Sequence, residues 1–353
     1  MSSTPTIPSQ MKAAVCHKIG VIDDGDADLV ATPEQISVET VNVPTPEEGE
    51  VLVKVHAAAI NPVDWKLLNG SFPGKKVGQG LGLDVCGTVV QVGPGVDTFK
   101  VGDEVYADII KTATKSGSFG EYCISQAVAA SLKPKSIDFV EAASLPLAGL
   151  TALQGLVTYG SMKEGDKVLV LGGSGGVGSL AVQMAKALGA AEVYSTGTSV
   201  EAIKNLGADH VINYKEESLM DALKGKDFDV VYDTIGGYEH WEIAQASLKR
   251  GGTFVTIAGD GPGTSLPVFL IKVVWRKLLS YFGSPAYKIF LTNSNPPEVV
   301  NDMKTITDLV EAGKVKPVLD ERRFELTTDS LLDMIRVSMS HRAKGKLVMQ
   351  VKQ

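Results

Sequence analysis

The stretch VLVLGGSGGVGSLAVQMAKALGA, Val168 to Ala190, carries five glycines among the seven residues from Gly172 to Gly178, between an apolar run with strand character and an apolar pattern of helical period. Glycine at that density removes the Cβ atoms that keep a strand and the next helix apart, so the backbone can turn tightly and approach something closely. Three chemistries use such a turn. A P-loop places Gly-Lys-Ser/Thr after its spacer so that the lysine reaches the β- and γ-phosphates. Gly173 and Gly178 have the spacing, but the next residue is Ser179, and the lysine is missing. A nucleophile elbow, G-x-S-x-G, is matched literally by Gly172 to Gly176 with Ser174 at its centre, and Asp233 and His240 follow in the order acid, then histidine. Against it, a turn-rich β region precedes the motif, and so short a separation puts Asp233 and His240 on one strand–helix connection. The third reading takes Gly173, Gly175 and Gly178 as G-x-G-x-x-G, the turn that brings helix N-terminal amides onto a dinucleotide pyrophosphate. Its place as the first of a series of βαβ units favours this reading.

The chain of 353 residues is too long for one ordinary core, and its 44% hydrophobic and 21% charged residues fit a folded protein of two domains. Up to about residue 135 it reads as strands, such as EVLVKVHAAAI, DVCGTVVQVG, DEVYADI and EYCISQ, with turns at Pro94–Gly95 and Gly102–Asp103. From FVEAASLPLAGLTALQGLV onward, helical patterns alternate with KVLVLGG, EVYSTG, HVINY, FDVVYDTIG, GTFVTIAG and KIFLTN, which implies a parallel sheet. PPEVVNDMKTITDLVEAGK reads as a helix, and the closing GKLVMQVK as a strand returning to the β-rich domain. The expected division is therefore 1–150 with 294–353, and 151–293.

A net charge of −7 without a basic stripe argues against nucleic-acid binding. Cys16, Cys86 and Cys123 are odd in number and far apart, which suggests thiols in a reducing compartment rather than a disulfide framework or a metal site. MSSTPTIPSQ lacks an apolar core and the first arginine is Arg250, so a cytoplasmic location is expected. VFLIKVVWRKLLSYF, residues 268–282, is interrupted by Lys272, Arg276 and Lys277 and does not read as a membrane span. A buried or subunit-facing segment is the expectation for it, with a membrane-surface helix as the alternative.

Dinucleotide folds that take NAD place an acid at the end of the second strand, for the ribose 2′-hydroxyl. Here that region reads YSTGTSV, Tyr194 to Val200, without one. Its hydroxyls suit a 2′-phosphate that a carboxylate would repel, so NADPH is the expected cofactor; alternatively Ser195, Thr196, Thr198 and Ser199 are turn and N-cap residues. Lys204, Arg342 and Lys344 are candidate basic partners.

With a β-rich domain, then AASLPLAGLTALQGL, then the glycine turn, the chain resembles the medium-chain dehydrogenase/reductase superfamily. AAAINPVDWKLLNG, GLDVCGTVVQVGPGVDTFKVGDEVYA, GSFGEY, LGGSGGVGSLAVQMAK and LGADHVINY resemble its zinc-independent quinone oxidoreductase branch. The resemblance implies a Rossmann-type doubly wound sheet, an α/β fold, joined to a β-rich GroES-like catalytic domain. Where zinc-using members carry cysteine, Gly-His-Glu and a second cysteine, this chain has Asn61, Gly82-Leu83-Asp84 and about Ala148, a set unsuited to Zn²⁺, so no metal is expected. The implied reaction is hydride transfer from NADPH to a quinone or an enone. Asn61 is the first catalytic candidate, as a donor to the substrate oxygen or as an Asn-Pro turn residue. Lys66 is the second, as a positive charge near the forming enolate or as a surface lysine, while Asp64 is expected to orient its neighbours.

For the cofactor, the resemblance implies Thr151 near the nicotinamide, Ser174, Gly175, Gly176 and Val177 at the pyrophosphate, Thr198 near the 2′-phosphate and Tyr214 near the adenosine, with Ile257, Phe290, Arg342 and Lys344 as further contacts. The chain departs from the pattern in lacking a lysine just after the second strand. A homodimer is also implied. The rival readings are a trans-2-enoyl thioester reductase and a protein that binds NADPH without turnover.

Overall fold

The structure is a computed structural model that describes residues 7–20, 31–70, 76–260 and 266–352; the first six residues of the N-terminal stretch discussed above lie outside them. The chain forms two compact units, Met1–Ala148 with Ser294–Glu311 and Pro317–Gln353, and Gly149–Asn293 with Ala312–Lys316. That short last segment joins the second unit because the Gln183 side chain grips Lys316 at both backbone groups, donating to its C=O (2.9 Å) and accepting from its N–H (2.8 Å).

In the first unit β1 (Gln10–Cys16) and β2 (Ile36–Asn42) pair antiparallel, followed by β3 (Glu50–Ala59), α1 (Pro62–Leu68), β4 (Asp84–Val92), β5 (Glu104–Asp108), β6 (Tyr122–Gln126), β7 (Ala130–Leu132) and α2 (Phe139–Ala143). β3 is central, antiparallel to both β4 and β6. Its alternation sends Val51, Val53 and Val55 into a core with Trp65 and Phe119, and Leu52 into a second core with Met11, Tyr122 and Ile124. Being covered on both faces explains why EVLVKVHAAA is nearly continuously apolar.

The helix α3 (Pro146–Gln154) carries the chain into the second unit. There β8 (Lys167–Leu171), α4 (Gly176–Ala187), β9 (Glu192–Thr196), α5 (Val200–Asn205), β10 (His210–Ile212), α6 (Leu219–Leu223), β11 (Phe228–Asp233), α7 (Tyr238–Ser247), β12 (Leu248–Thr256), α8 (Leu266–Ser280) and β13 (Ala286–Ile289) follow one another. All six strands are parallel in the order β10-β9-β8-β11-β12-β13. This is the doubly wound Rossmann order, with its switch point between β8 and β11. The sequence places the last strand at KIFLTN, but pairing with β12 begins two residues earlier, at Ala286.

The chain then returns through α9 (Glu298–Glu311), β14 (Phe324–Glu325), α10 (Thr328–Met339) and β15 (Val348–Gln350). β15 pairs antiparallel with Ala57–Ala59 of β3, so the first unit is discontinuous in sequence. Of the expectations for 268–282, a buried or subunit-facing segment or a membrane-surface helix, burial in the chain's own core does not hold. Arg276 and Val273 face the protein, but Ile271, Val274, Trp275 and Leu278 are exposed, because this amphipathic helix packs by one narrow side.

Asp108, at the end of β5, is wholly buried and accepts hydrogen bonds from the Ser294 hydroxyl (2.5 Å) and the Ile110 N–H (3.0 Å). Burial raises its pKa, the Ser294 bond only partly offsets this and the Asp84 charge adds to it, so the value is pushed up to about 7. Because the folded value lies above the unfolded one, the contribution to stability is full below about pH 4 and is lost as pH rises to about 7. Urea denaturation of the wild type and Asp108→Asn across this range should show the wild type losing ground with rising pH, by about 4 kcal/mol at most. A difference between the two proteins that does not change with pH would refute the assignment.

Candidate active site

The glycine turn leaves the C-terminal end of β8 and enters α4 at Gly176. Gly172 N–H donates to Thr196 Oγ1 (3.0 Å) and Gly173 N–H to the Thr196 C=O (3.0 Å), which fastens the turn to β9. Its glycines serve two purposes. A Cβ on Gly173 would collide with Ser195 Oγ, and one on Gly178 with the Gly172 carbonyl oxygen, so these two permit the close strand–helix packing. Gly175 has φ −78°, open to any residue, and the nearest atom to an added Cβ is the Gly172 carbonyl oxygen at 3.5 Å. Nothing inside the protein requires glycine there. What requires it is an approaching group, and the N–H groups of Gly176, Val177 and Gly178 precede the first bond within the helix, from Ser179 N–H to the Gly175 C=O. This cradle fits a pyrophosphate. Ser174, Gly175, Gly176 and Val177 are all half-buried, as its accessible lining must be.

YSTGTSV divides in the same way. Ser195 and Thr196 are buried, Ser195 donating to the Val170 C=O (2.9 Å) and Thr196 holding Gly172, so both belong to the turn's framework. Thr198 is exposed on the loop beyond β9, where a ligand can reach it, and Ser199 is the N-cap of α5. Tyr214 is exposed just beyond β10. Ile257 directly follows β12, and Phe290 directly follows β13 with its ring buried and stacked on Tyr159 at 4.1 Å. Thr151 on α3 reaches the segment after β13, its hydroxyl 2.6 Å from that of Thr292, while its C=O accepts from Tyr232 Oη (2.8 Å). The topology therefore brings every second-unit candidate except Thr151 and Lys204 to the carboxyl end of a strand, the binding edge of a doubly wound sheet.

Asp233 and His240 meet, but in a structural role. Asp233 Oδ1 accepts from Ile235 N–H, Gly236 N–H and His240 Nδ1 (3.1, 3.0 and 2.9 Å), and Oδ2 accepts from Thr256 Oγ1 (2.9 Å). Burial favours the neutral ring, but the Asp233 carboxylate outweighs it and raises the His240 pKa. The pair thus locks the connection from β11 to α7.

The first unit carries a buried polar cluster. Asn61 immediately precedes Pro62 and is the N-cap of α1, its N–H donating to Asp64 Oδ2 (2.7 Å), so Asp64 does orient its neighbour. The Asn61 carboxamide donates from Nδ2 to Asp84 Oδ2 (2.8 Å) and accepts at Oδ1 from Lys346 Nζ (2.6 Å). Lys346 also donates to Asp84 Oδ2 (3.1 Å) and to the Ile60 C=O (3.0 Å), and Leu147 N–H donates to Asp84 Oδ1 (2.8 Å). Lysine can only donate and a carboxylate only accept, so the amide has one orientation, and one of its two N–H groups is committed to Asp84. Lys66 is half-buried in the last turn of α1, its Nζ 5.5 Å from the Trp65 ring centre. Arg342 and Lys344 are exposed in the turn after α10, and the Lys344 N–H holds Asp320 (2.9 Å). Lys204 is exposed and paired with Glu201 at 3.2 Å.

Sequence reasoning missed Lys346. The only signal was a lysine on the apolar closing strand GKLVMQV, and a strand reading alone cannot tell a buried lysine from an edge lysine. Leu83 and Ala148, set by the resemblance against two zinc-ligand positions, are buried apolar residues. Among the described residues no three His, Cys, Asp or Glu side chains are grouped to hold a metal ion.

A parallel six-stranded dinucleotide sheet and a β-rich unit built around a buried polar cluster define a two-domain nucleotide-dependent dehydrogenase. Residues 47–135 match the Alcohol dehydrogenase GroES-like domain family and 206–349 the Zinc-binding dehydrogenase family. The chain is 36% identical over 358 residues to the 2-methylene-furan-3-one reductase of Solanum lycopersicum, covering 98% of this chain and 81% of that protein. It is 35% identical over 359 residues to the chloroplastic NADPH-dependent alkenal/one oxidoreductase of Arabidopsis thaliana, covering 99% and 81%. The Escherichia coli quinone oxidoreductase, solved in complex with NADPH, has a TM-score of 0.77 at 27% identity, covering 96% of this chain and 99% of that one. The chain belongs to the quinone oxidoreductase-like branch of the medium-chain dehydrogenase/reductase superfamily.

The two kinds of glycine are separable by experiment. Gly178→Ala should cost about 1–3 kcal/mol in urea denaturation through the clash with Gly172. Gly175→Ala should change stability by less than about 1 kcal/mol yet weaken NADPH binding at least tenfold in a fluorescence titration. Unweakened binding by Gly175→Ala would remove the cradle assignment.

Proposed function

We propose that this protein is an NADPH-dependent reductase that delivers hydride to a quinone or to the β-carbon of an α,β-unsaturated carbonyl. The relatives named above support the reading, as reductases of enone-type and quinone substrates, one of them solved with NADPH. For this chain the observation that carries it is the Asn61 carboxamide. It is held in a single orientation by Lys346 and Asp84, at a position where zinc-using relatives place a metal ligand. A substrate whose double bond is already electron-poor needs an oriented donor at its oxygen more than it needs a Lewis acid.

NADPH supplies the hydride when bound. Ser174 and the first-turn amides of α4 hold the pyrophosphate, Thr198 and Tyr214 lie toward the 2′-phosphate and adenosine, and Thr151, Ile257 and Phe290 line the nicotinamide end. Arg342 and Lys344 add positive charge. The second N–H of Asn61 donates to the substrate oxygen as negative charge builds there, and Lys66 stabilises the resulting enolate or hydroquinone anion, which then takes a proton from water. The three buried thiols suit a reducing compartment, and a cytoplasmic location is proposed on that ground. Membership of the branch supports a homodimer.

The test crosses NADPH and NADH with quinones, short enones and enoyl thioesters, with metal analysis of the same sample. Expected are turnover of quinones or enones, a preference for NADPH and no stoichiometric metal. In Asn61→Ala, kcat should fall about 10²–10³-fold, the scale for losing one oxyanion donor, with NADPH affinity retained. Bound zinc, or activity only on alcohols with NAD, would overturn the reading. Faster turnover of enoyl thioesters would replace it with the thioester reductase, and tight NADPH binding without turnover of any substrate with a binding role.

A further inference from the structure

The chain leaves the parallel sheet after Ile289 at the end of β13, and the residues that follow, Phe290 to Asn293, belong to no strand. Phe290 N–H still reaches the Thr256 C=O of β12 (3.3 Å), but beyond it the segment is held by α3. Thr151 and Gln154, three residues apart and so on one side of that helix, meet two consecutive residues of the segment. The Thr151 hydroxyl lies 2.6 Å from that of Thr292. Gln154 grips the Asn293 backbone at both ends, Nε2 donating to its C=O (2.9 Å) and Oε1 accepting from its N–H (2.8 Å). Gln154 is 1% exposed and Leu291 68%, so the segment is fixed from inside and open outside.

α3 is itself anchored at this point. The buried Tyr232 donates from Oη to the Thr151 C=O (2.8 Å), and its ring packs so closely that a Cβ on Gly155 would overlap it. Gly155 opens a π-helical turn, Gly155–Tyr159, that follows Gln154 directly, and such turns are rare and concentrate at functional sites. The turn carries the Tyr159 ring that stacks on Phe290 at 4.1 Å. With the Phe290 ring buried and engaged there, the segment offers an incoming ligand its backbone. A backbone contact gives most when the backbone is already still, because ordering a loop on binding costs affinity.

We propose that Gln154 is a positioning residue for the nicotinamide end of NADPH, acting through the backbone of residues 290–293 that it holds. The role rests on the reductase reading of the site and adds to it a residue too buried to meet the cofactor itself. The order of the sheet carries it. A dinucleotide crosses at the switch point between β8 and β11. With the adenosine half toward Thr198 and Tyr214, beyond β9 and β10, the nicotinamide half falls to the ends of β11, β12 and β13, and the segment gripped by Gln154 is the one that leaves β13. Two opposed hydrogen bonds fix that backbone in position and rotation, where packing alone fixes only its distance.

The test is isothermal titration calorimetry of the full chain, wild type and Gln154→Met, with NADPH and with 2′-phospho-ADP-ribose, the same cofactor without its nicotinamide. Methionine keeps the length of the side chain and removes both hydrogen bonds. NADPH should bind Gln154→Met about tenfold more weakly than wild type, and 2′-phospho-ADP-ribose within about twofold of it. Gln154→Glu supplies a second readout should the methionine variant fold poorly. Its carboxyl can accept from the Asn293 N–H but donates to the C=O only when protonated. Its deficit in NADPH binding relative to wild type should therefore shrink between about pH 9 and about pH 6, with no such change for 2′-phospho-ADP-ribose. Equal weakening of both ligands would overturn the proposal and leave Gln154 a clamp for the fold alone, and so would no weakening of either. Both readouts are equilibrium binding, so they decide the role of Gln154 whether or not a quinone or enone is turned over. A wild type that binds neither ligand would overturn this proposal and the reductase reading together.

Discussion

A fully buried polar side chain has to find hydrogen-bond partners inside the fold or it costs stability, and Asp84 at the start of β4 finds three donors. They come from Asn61, Leu147 and Lys346, so one side chain gathers the N-cap of α1, the start of α3 and the approach to the closing strand. Removing one member of such a buried pair costs about 3–5 kcal/mol, against a few tenths for an exposed pair such as Lys304–Asp308. The discontinuity of the first unit follows from this. The C-terminal residues return to β3 both because β15 completes its sheet and because Lys346 has a charge to meet there. The same network that closes the unit fixes the carboxamide proposed to face the substrate, so stability and orientation share their parts.

In the second unit the corresponding constraint is steric. Gly173 and Gly178 let β8, β9 and α4 approach within backbone contact, and Ser195 and Thr196 tie the turn in place. Beyond the switch point, Asp233 does for the ends of β11 and β12 what Thr196 does for β8, capping the turn amides of one strand and the hydroxyl of the next. The carboxyl edge of the sheet is thus rigid on both sides of the point where a dinucleotide would cross it. Gly175 is glycine without an internal reason.

Much of this was legible in the sequence because it depends on local chemistry. The alternation of strands and helices gives the parallel sheet, and glycine spacing gives the turn. The absence of an acid after β9 narrows the cofactor from residue identity alone. What was not legible depends on contacts distant in sequence. Lys346 looks like any strand lysine until Asp84 is placed beside it, 262 residues away. Ser195 and Thr196 cannot be told from Thr198 as ligands until the turn is seen to use them, and Phe290 is buried against Tyr159, which leaves its backbone rather than its ring to meet a cofactor.

The segment 268–282 shows the same limit in its purest form. Apolar periodicity states that a face leaves water but not what receives it, and the sequence leaves the protein's own core, a second subunit and a membrane surface as the alternatives. Arg276 removes the first of these, because its pairing with Asp260 turns one side of α8 inward and commits the apolar stripe to the outside.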